Sequence, residues 1–323
     1  MSKLILATQQ GIVVFERKDD GWSESMHGLV DQQVTCITAR NGLILAGSTT
    51  GIVRSQDEGK SWHETNDGLT IQHVRWMAFR PASSALVWTG TEPAHIFISH
   101  DSGASWRACP EVAQLRDRFK WSLPYSPEAG CVRGFAFHGS RVYAAVEVGG
   151  VLVSDDNGET WNLAEGSDGK PSFSGPPEPL VHPDVHSLEV HPSSQDLVYA
   201  PTGGGFYRSK DGGKTWKRFY DCYCRAVWVD PQNPEHMILG PADGVDRNGR
   251  IEESRDGGET WSMASHGLQV PWRRGMVERF FQTGEELFAI LSTGEVLSSS
   301  LSKLEWKRTF PSFTNVNAIA QID

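Results

Sequence analysis

Ser154-Asp155-Asp156-Asn157-Gly158-Glu159-Thr160-Trp161 has the form S-x-D-x-G-x-[ST]-W, and the chain writes this form five times. The other full copies run from Ser55 to Trp62, Ser99 to Trp106, Ser209 to Trp216 and Ser254 to Trp261, and a sixth stretch, Ser299 to Trp306, keeps only the two ends. The interval of 44 to 55 residues is that of a small structural unit that cannot bury its apolar face alone, so the units must pack on one another. In each copy the carboxylate of Asp57, Asp101, Asp156, Asp211 or Asp256 is placed to accept N–H groups of its own turn. The glycine allows a positive φ, and the tryptophan fills an apolar gap. These five aspartates are therefore expected to be structural.

A second repeat, V-x-x-Φ-x-Φ with Φ apolar, lies upstream of the first. It begins at Val34, Val74, Val132, Val185, Cys224, Val277 and Val316, and seven copies predict seven blades. Each is followed by an apolar run such as Leu43-Ile44-Leu45-Ala46, a turn with glycine, a third strand and the tryptophan hairpin. Four short strands per unit make a propeller blade. The expected fold is all-β, a single seven-bladed β-propeller spanning residues 1–323. The chain opens on a second-strand sequence, Leu4-Ile5-Leu6-Ala7, so residues 316–322 are expected to complete blade 1 and close the ring.

Net charge is −10 over 323 residues, with basic residues scattered along the chain, which argues against nucleic acid or an anionic membrane as partner. The opening MSKLILATQQG has too short an apolar run for a signal peptide, and no stretch approaches the roughly 18 apolar residues of a membrane span, so a cytoplasmic monomer is expected. Five cysteines without a disulfide spacing suit a reducing compartment. Cys36, Cys131 and Cys224 fall on inner strands as small hydrophobes, and Cys222-Tyr223-Cys224 lacks the second pair that a structural metal site needs.

In a propeller the tryptophan hairpins and the starts of the inner strands lie on opposite faces, which points function toward the latter. The residue after the opening Val or Cys is Thr35, Arg75, Arg133, His186, Arg225, Glu278 or Asn317. Three guanidinium forks around one axis suit a small anionic, carboxylate-type ligand or an acidic peptide, because each fork binds an oxyanion through paired hydrogen bonds. A salt-bridged channel is the purely structural alternative. Glu92 and Glu147, in loops of the blades that carry Arg75 and Arg133, either pair with those arginines or act as acid or base, as does His186. Further binding candidates are Trp121 and Tyr125 in the long crossing from Cys109 to Gly130, read as a lid or partial helix, with Tyr223 and Asp243 on other rim loops. No cofactor is expected. The alternative is a divalent metal held by His182, His186 and His73, with Glu147 nearby.

The S-x-D-x-G-x-[ST]-W stretches resemble the Asp-box, or BNR, repeats of sialidase-like, glycosyl-hydrolase-like and Ycf48-like propellers. For sialidases the resemblance implies six blades, an arginine triad, a Tyr–Glu nucleophile and an aspartate acid/base. This chain has seven predicted blades and no N-terminal Arg-Ile-Pro signature, so none of those catalytic residues maps onto a position here. Xyloglucan-type glycosidases form their cleft from two propellers, whereas the photosystem II assembly propellers bind protein through arginines. Two expectations stand: a small-anion site, with hydrolase or lyase chemistry as one extension of it, or a non-catalytic scaffold for an acidic peptide or partner protein.

Overall fold

The computed structural model describes residues 2–19, 21–81, 83–126, 130–172 and 174–322. They form seven four-stranded antiparallel sheets arranged as a seven-bladed propeller. The inner strands are Val316–Ile322 in blade 1, Val34–Arg40, Val74–Phe79, Cys131–His138, Glu189–Val190, Tyr223–Val229 and Val277–Thr283 in blade 7. In blade 1, Val316–Ile322 pairs antiparallel with Lys3–Thr8, so the ring closes as the strand order predicts.

Period-two geometry explains why second strands are apolar throughout. Leu4 and Leu6 pack toward blade 7 with Phe288 and Ile290, whereas Ile5 and Ala7 pack toward blade 2 with Ile37, Ile44 and Ala46. A strand whose two faces both meet a neighbouring blade has no polar side to present. Similar clusters, such as Leu45 with Val74, Val87 and Phe97, fill the other gaps between blades.

Five hairpins realise the Asp-box reading. In the copy at 154–161, Asp156 Oδ1 accepts from Ser154 Oγ at 2.7 Å and Thr160 N–H at 3.0 Å, and Oδ2 accepts from Thr160 Oγ1 at 2.7 Å. Trp161 is buried, with its indole N–H on Gly158 O at 3.1 Å.

Blade 5 departs from the expected pattern. Its inner strand is only Glu189–Val190, and Val185 meets Thr202 through an isolated bridge. Pro183 supplies no N–H, and its carbonyl accepts from Gly149 and Gly150 of blade 4 rather than continuing a ladder. Among the described residues no helix is long and apolar enough to cross a membrane.

Candidate functional site

The inner strands share an irregularity. Pairing runs from Val34↔Ser48 directly to Cys36↔Gly47, which leaves Thr35 over. The same one-residue bulge leaves over Arg75, Arg133, Glu278 and Asn317, and in blade 6 Arg225 and Ala226 together oppose Gly240. A bulge kinks its strand and re-aims the extra side chain. Here the result is convergence, since Thr35, Arg75, Arg133, Arg225, Glu278 and Asn317 all line one cavity of about 360 Å³ at the channel mouth. Glycine opposite the bulge is a packing requirement. A Cβ on Gly90 would lie 2.5 Å from Val132 Cγ1, and one on Gly240 would lie 2.4 Å from Val277 Cβ.

The seven positions divide into two kinds. Three act as staples to the next blade. Asn317 Nδ2–H donates to Val34 O at 2.7 Å, Thr35 Oγ1 to Val74 O at 2.6 Å, and His186 Nδ1–H to Cys224 O at 2.9 Å. The other four are charged and join a network. Arg75 pairs with Glu92 at 3.3 Å within blade 3, and Arg133 pairs with Glu147 at 3.1 Å within blade 4. Arg133 also reaches Glu278 of blade 7 at 3.3 Å, spanning the channel, and Arg225 binds the other oxygen of the same carboxylate. Burial opposes the charge on Glu278, but Arg225 and Arg133 outweigh it and hold the carboxyl below its ordinary range.

Arg279, one position further along the blade 7 strand, is the residue that the sequence reading passed over. Its guanidinium lines the same cavity and lies 4.3 Å from the ring centroid of Trp76, a blade 3 residue across the channel. Among the described residues it has no hydrogen-bond or ion-pair partner. Burial, followed by the repulsion of Arg133, lowers its pKa to about 10, so it stays charged at neutral pH. Four guanidiniums, Arg75, Arg133, Arg225 and Arg279, thus gather with three carboxylates, Glu92, Glu147 and Glu278, with Asp184 behind Glu147, and among the described residues Arg279 is the guanidinium of the four without an ion-pair partner.

The remaining candidates divide by location. Tyr125 lines the mouth, 60% exposed, with its hydroxyl donating to Glu147 Oε2 at 3.4 Å. Tyr223 sits one layer behind, accepting from Arg225 Nη2 at 3.2 Å and lying 3.2 Å from His186 Nε2. Trp121 is a core residue and does not face the mouth: it is fully buried beside Val112 and Trp161, with its indole N–H on Gly169 O at 2.8 Å. The crossing that contains it forms a docked wall, because the helix Pro110–Phe119 buries Val112 and Arg116 donates to Ala94 O at 3.4 Å. Asp243 is exposed outside the cavity and organises its own loop with Asn248 at 3.0 Å and Arg250 at 3.3 Å. His186 cannot serve as acid or base toward a ligand in the cavity, because its side chain is fully enclosed and its Nδ1–H is committed to blade 6.

The three histidines do not gather either. Among the described residues the cluster with metal-ligand proximity is Glu147, Asp184 and His186, without His73 or His182. His73 instead stands 4.0 Å from Glu92, and His182 Nδ1 accepts from Asp184 N–H at 3.2 Å. A larger groove of about 860 Å³ lies between blades 7 and 1. Arg17 and Glu286 of its lining pair with each other at 2.7 Å.

The chain carries BNR/Asp-box repeats: the model of that repeat matches residues 152–163 and 207–218. An oligoxyloglucan-reducing end-specific xyloglucanase from Emericella nidulans is 23% identical over an alignment of 255 positions that covers 64% of this chain and 30% of that enzyme. Among solved structures, the GH74 xyloglucanase from Xanthomonas campestris superposes with a TM-score of 0.63 at 14% identity, covering 96% of this chain and 47% of the other. YCF48 bound to D1 peptide gives 0.62 at 14% identity, covering 92% of this chain and 88% of that one. The chain therefore spans less than a third of the curated xyloglucanase, and the structural likenesses are those of a shared fold.

Proposed function

We propose that the channel mouth binds a small carboxylate-type anion, with Arg279 as the central anchor and Arg225, Arg133 and Tyr125 around it. The carrying observation is the unpaired Arg279 guanidinium. A partly buried charge without a counter-ion is unfavourable, and nothing in packing a propeller requires a charge at that position. A ligand carboxylate would supply the missing partner, and a cavity of about 360 Å³ has room for a molecule of a few carbon atoms. Glu92 and Glu147 fit better as supports for Arg75 and Arg133 than as an acid/base pair. Hydrolase or lyase chemistry on carboxylate esters, lactones or glycosides remains an extension of this reading.

The scaffold reading has one specific support, the full-length likeness to a propeller whose structure contains a bound peptide. Calorimetric titration with mono-, di- and tricarboxylates, alongside acidic peptides, separates the two. Small carboxylates should bind, and Arg279→Gln should weaken them about 10- to 100-fold, the worth of a charge-assisted hydrogen bond. The same substitution should raise unfolding stability by about 1 kcal/mol, since it removes an unpaired charge. Binding of peptides alone, unaffected by Arg279→Gln, would overturn the proposal.

A further inference from the structure

Asp184 and His186, behind the mouth, meet Glu147 of its lining: each of the three offers one ligand atom, and these atoms lie within 4.8 Å of one another. They are 7%, 8% and 3% exposed. The tautomer of His186 follows from its surroundings. Nδ1 lies 2.9 Å from Cys224 O, and a backbone carbonyl only accepts, so the ring proton resides on Nδ1. In a neutral ring this leaves a lone pair at Nε2, 3.2 Å from Asp184 Oδ1, the atom that a proton on Nε2 would otherwise meet. That oxygen is itself buried and has no hydrogen-bond partner. Nε2 and that oxygen stand 3.2 Å apart, with a second carboxylate alongside.

We infer that Glu147, Asp184 and His186 hold one first-row divalent cation, of the Mn²⁺ or Zn²⁺ class. One imidazole nitrogen with two carboxylates is a donor set of that kind, softer than the all-oxygen sets that suit Ca²⁺ or Mg²⁺. The supporting shell is in place. His186 gives its other N–H to a carbonyl, as metal-bound imidazoles do, and Glu147 is oriented by Arg133 at 3.1 Å and by Tyr125 at 3.4 Å. Gly203 clears the space for Asp184, since a Cβ there would lie 2.1 Å from Oδ2. The Tyr223 hydroxyl, 3.2 Å from Nε2, carries the one competing proton. The site shares Glu147 with the mouth lining, whereas Asp184 and His186 lie outside it, so variants at Asp184 separate this inference from the anion proposal.

The test uses the full chain dialysed against a chelator. Titration with Mn²⁺, followed by electron paramagnetic resonance, should show one equivalent bound and displaced by Zn²⁺. Asp184→Asn should weaken Mn²⁺ at least tenfold. Tyr223→Phe, which leaves all three ligands and removes the competing proton, should bind Mn²⁺ as well as or better than the parent. In ¹⁵N spectra the His186 Nε2 resonance should move on Zn²⁺ addition while Nδ1 stays protonated. No uptake of either metal at millimolar concentration, unchanged affinity in Asp184→Asn, or an imidazolium indifferent to Zn²⁺ would each overturn the inference.

Discussion

The two faces of this propeller satisfy polar groups over different distances along the chain. At an Asp box the account closes within eight residues, with Ser154, Asp156, Gly158 and Thr160 serving one another and Trp161 capping the turn. At the mouth, Arg133 reaches Glu278 across 145 positions and across the channel, and Arg279 reaches Trp76 rather than a carboxylate. Local satisfaction makes a face that is stable and chemically quiet. Long-range and incomplete satisfaction leaves charge available to something else.

The comparison is tested most severely by Trp161→Ala. Removing a buried indole from between blades should destabilise the protein by about 3–5 kcal/mol in urea unfolding, while the fraction that stays folded keeps its affinity at the mouth. A loss of ligand affinity comparable to the loss of stability would show that the faces are coupled. Next in size is Glu278→Gln, which strips the shared partner from Arg133 and Arg225. It should cost about 3 kcal/mol, and added small carboxylates should restore part of that, a rescue that the box variant should lack.

The smallest effect is in acid. Hydrogen bonds from Ser61 hold the Asp57 carboxyl at about 2, and at Asp101 and Asp156 burial, the largest single influence, is outweighed by the combined hydrogen bonds of Ser105 and Thr160 and their turns, which leaves these carboxyls at about 2 as well. A folded box thus binds a proton less readily than the unfolded chain, whose aspartates titrate near 3.8. The contribution is complete above about pH 4 and is lost as pH falls toward 2. Melting temperatures measured between pH 5 and 2 should fall accordingly, less steeply in Asp156→Asn. An unchanged slope would deny the boxes this role.

What could be read from the sequence follows the same division. The boxes and the V-x-x-Φ-x-Φ strands are visible because their partners are sequence neighbours, and they carry the blade count and the ring closure. Arg75, Arg133, Arg225 and Glu278 could be picked out because each follows the Val or Cys that opens the V-x-x-Φ-x-Φ repeat, so one position could be compared around the ring, and in the structure a bulge falls at that position in each of their blades. Arg279 escaped that comparison, since its exposure to the lumen depends on Trp76 standing opposite it. Asp184 was hidden between histidines and was selected only when blade 4 brought Glu147 beside it. Trp121 misled for the opposite reason: an aromatic in a long crossing resembles a ligand contact until the helix before it turns the chain inward.

The pairing of Val316–Ile322 with Lys3–Thr8 has a consequence for how the molecule is made. On a ribosome, six blades can assemble from contiguous segments as they emerge, but blade 1 lacks its inner strand until residue 322 is out. Its Leu4, Leu6 and Val13 stay uncovered during nearly all of synthesis. The closing event joins segments more than 300 residues apart, yet its entropic penalty rises only with the logarithm of that separation, and pre-stacked blades shorten the effective loop further. The seam should be the last part to gain amide protection and the first to open, which makes blade 1 the place where a chaperone or protease would meet a nascent or fraying chain.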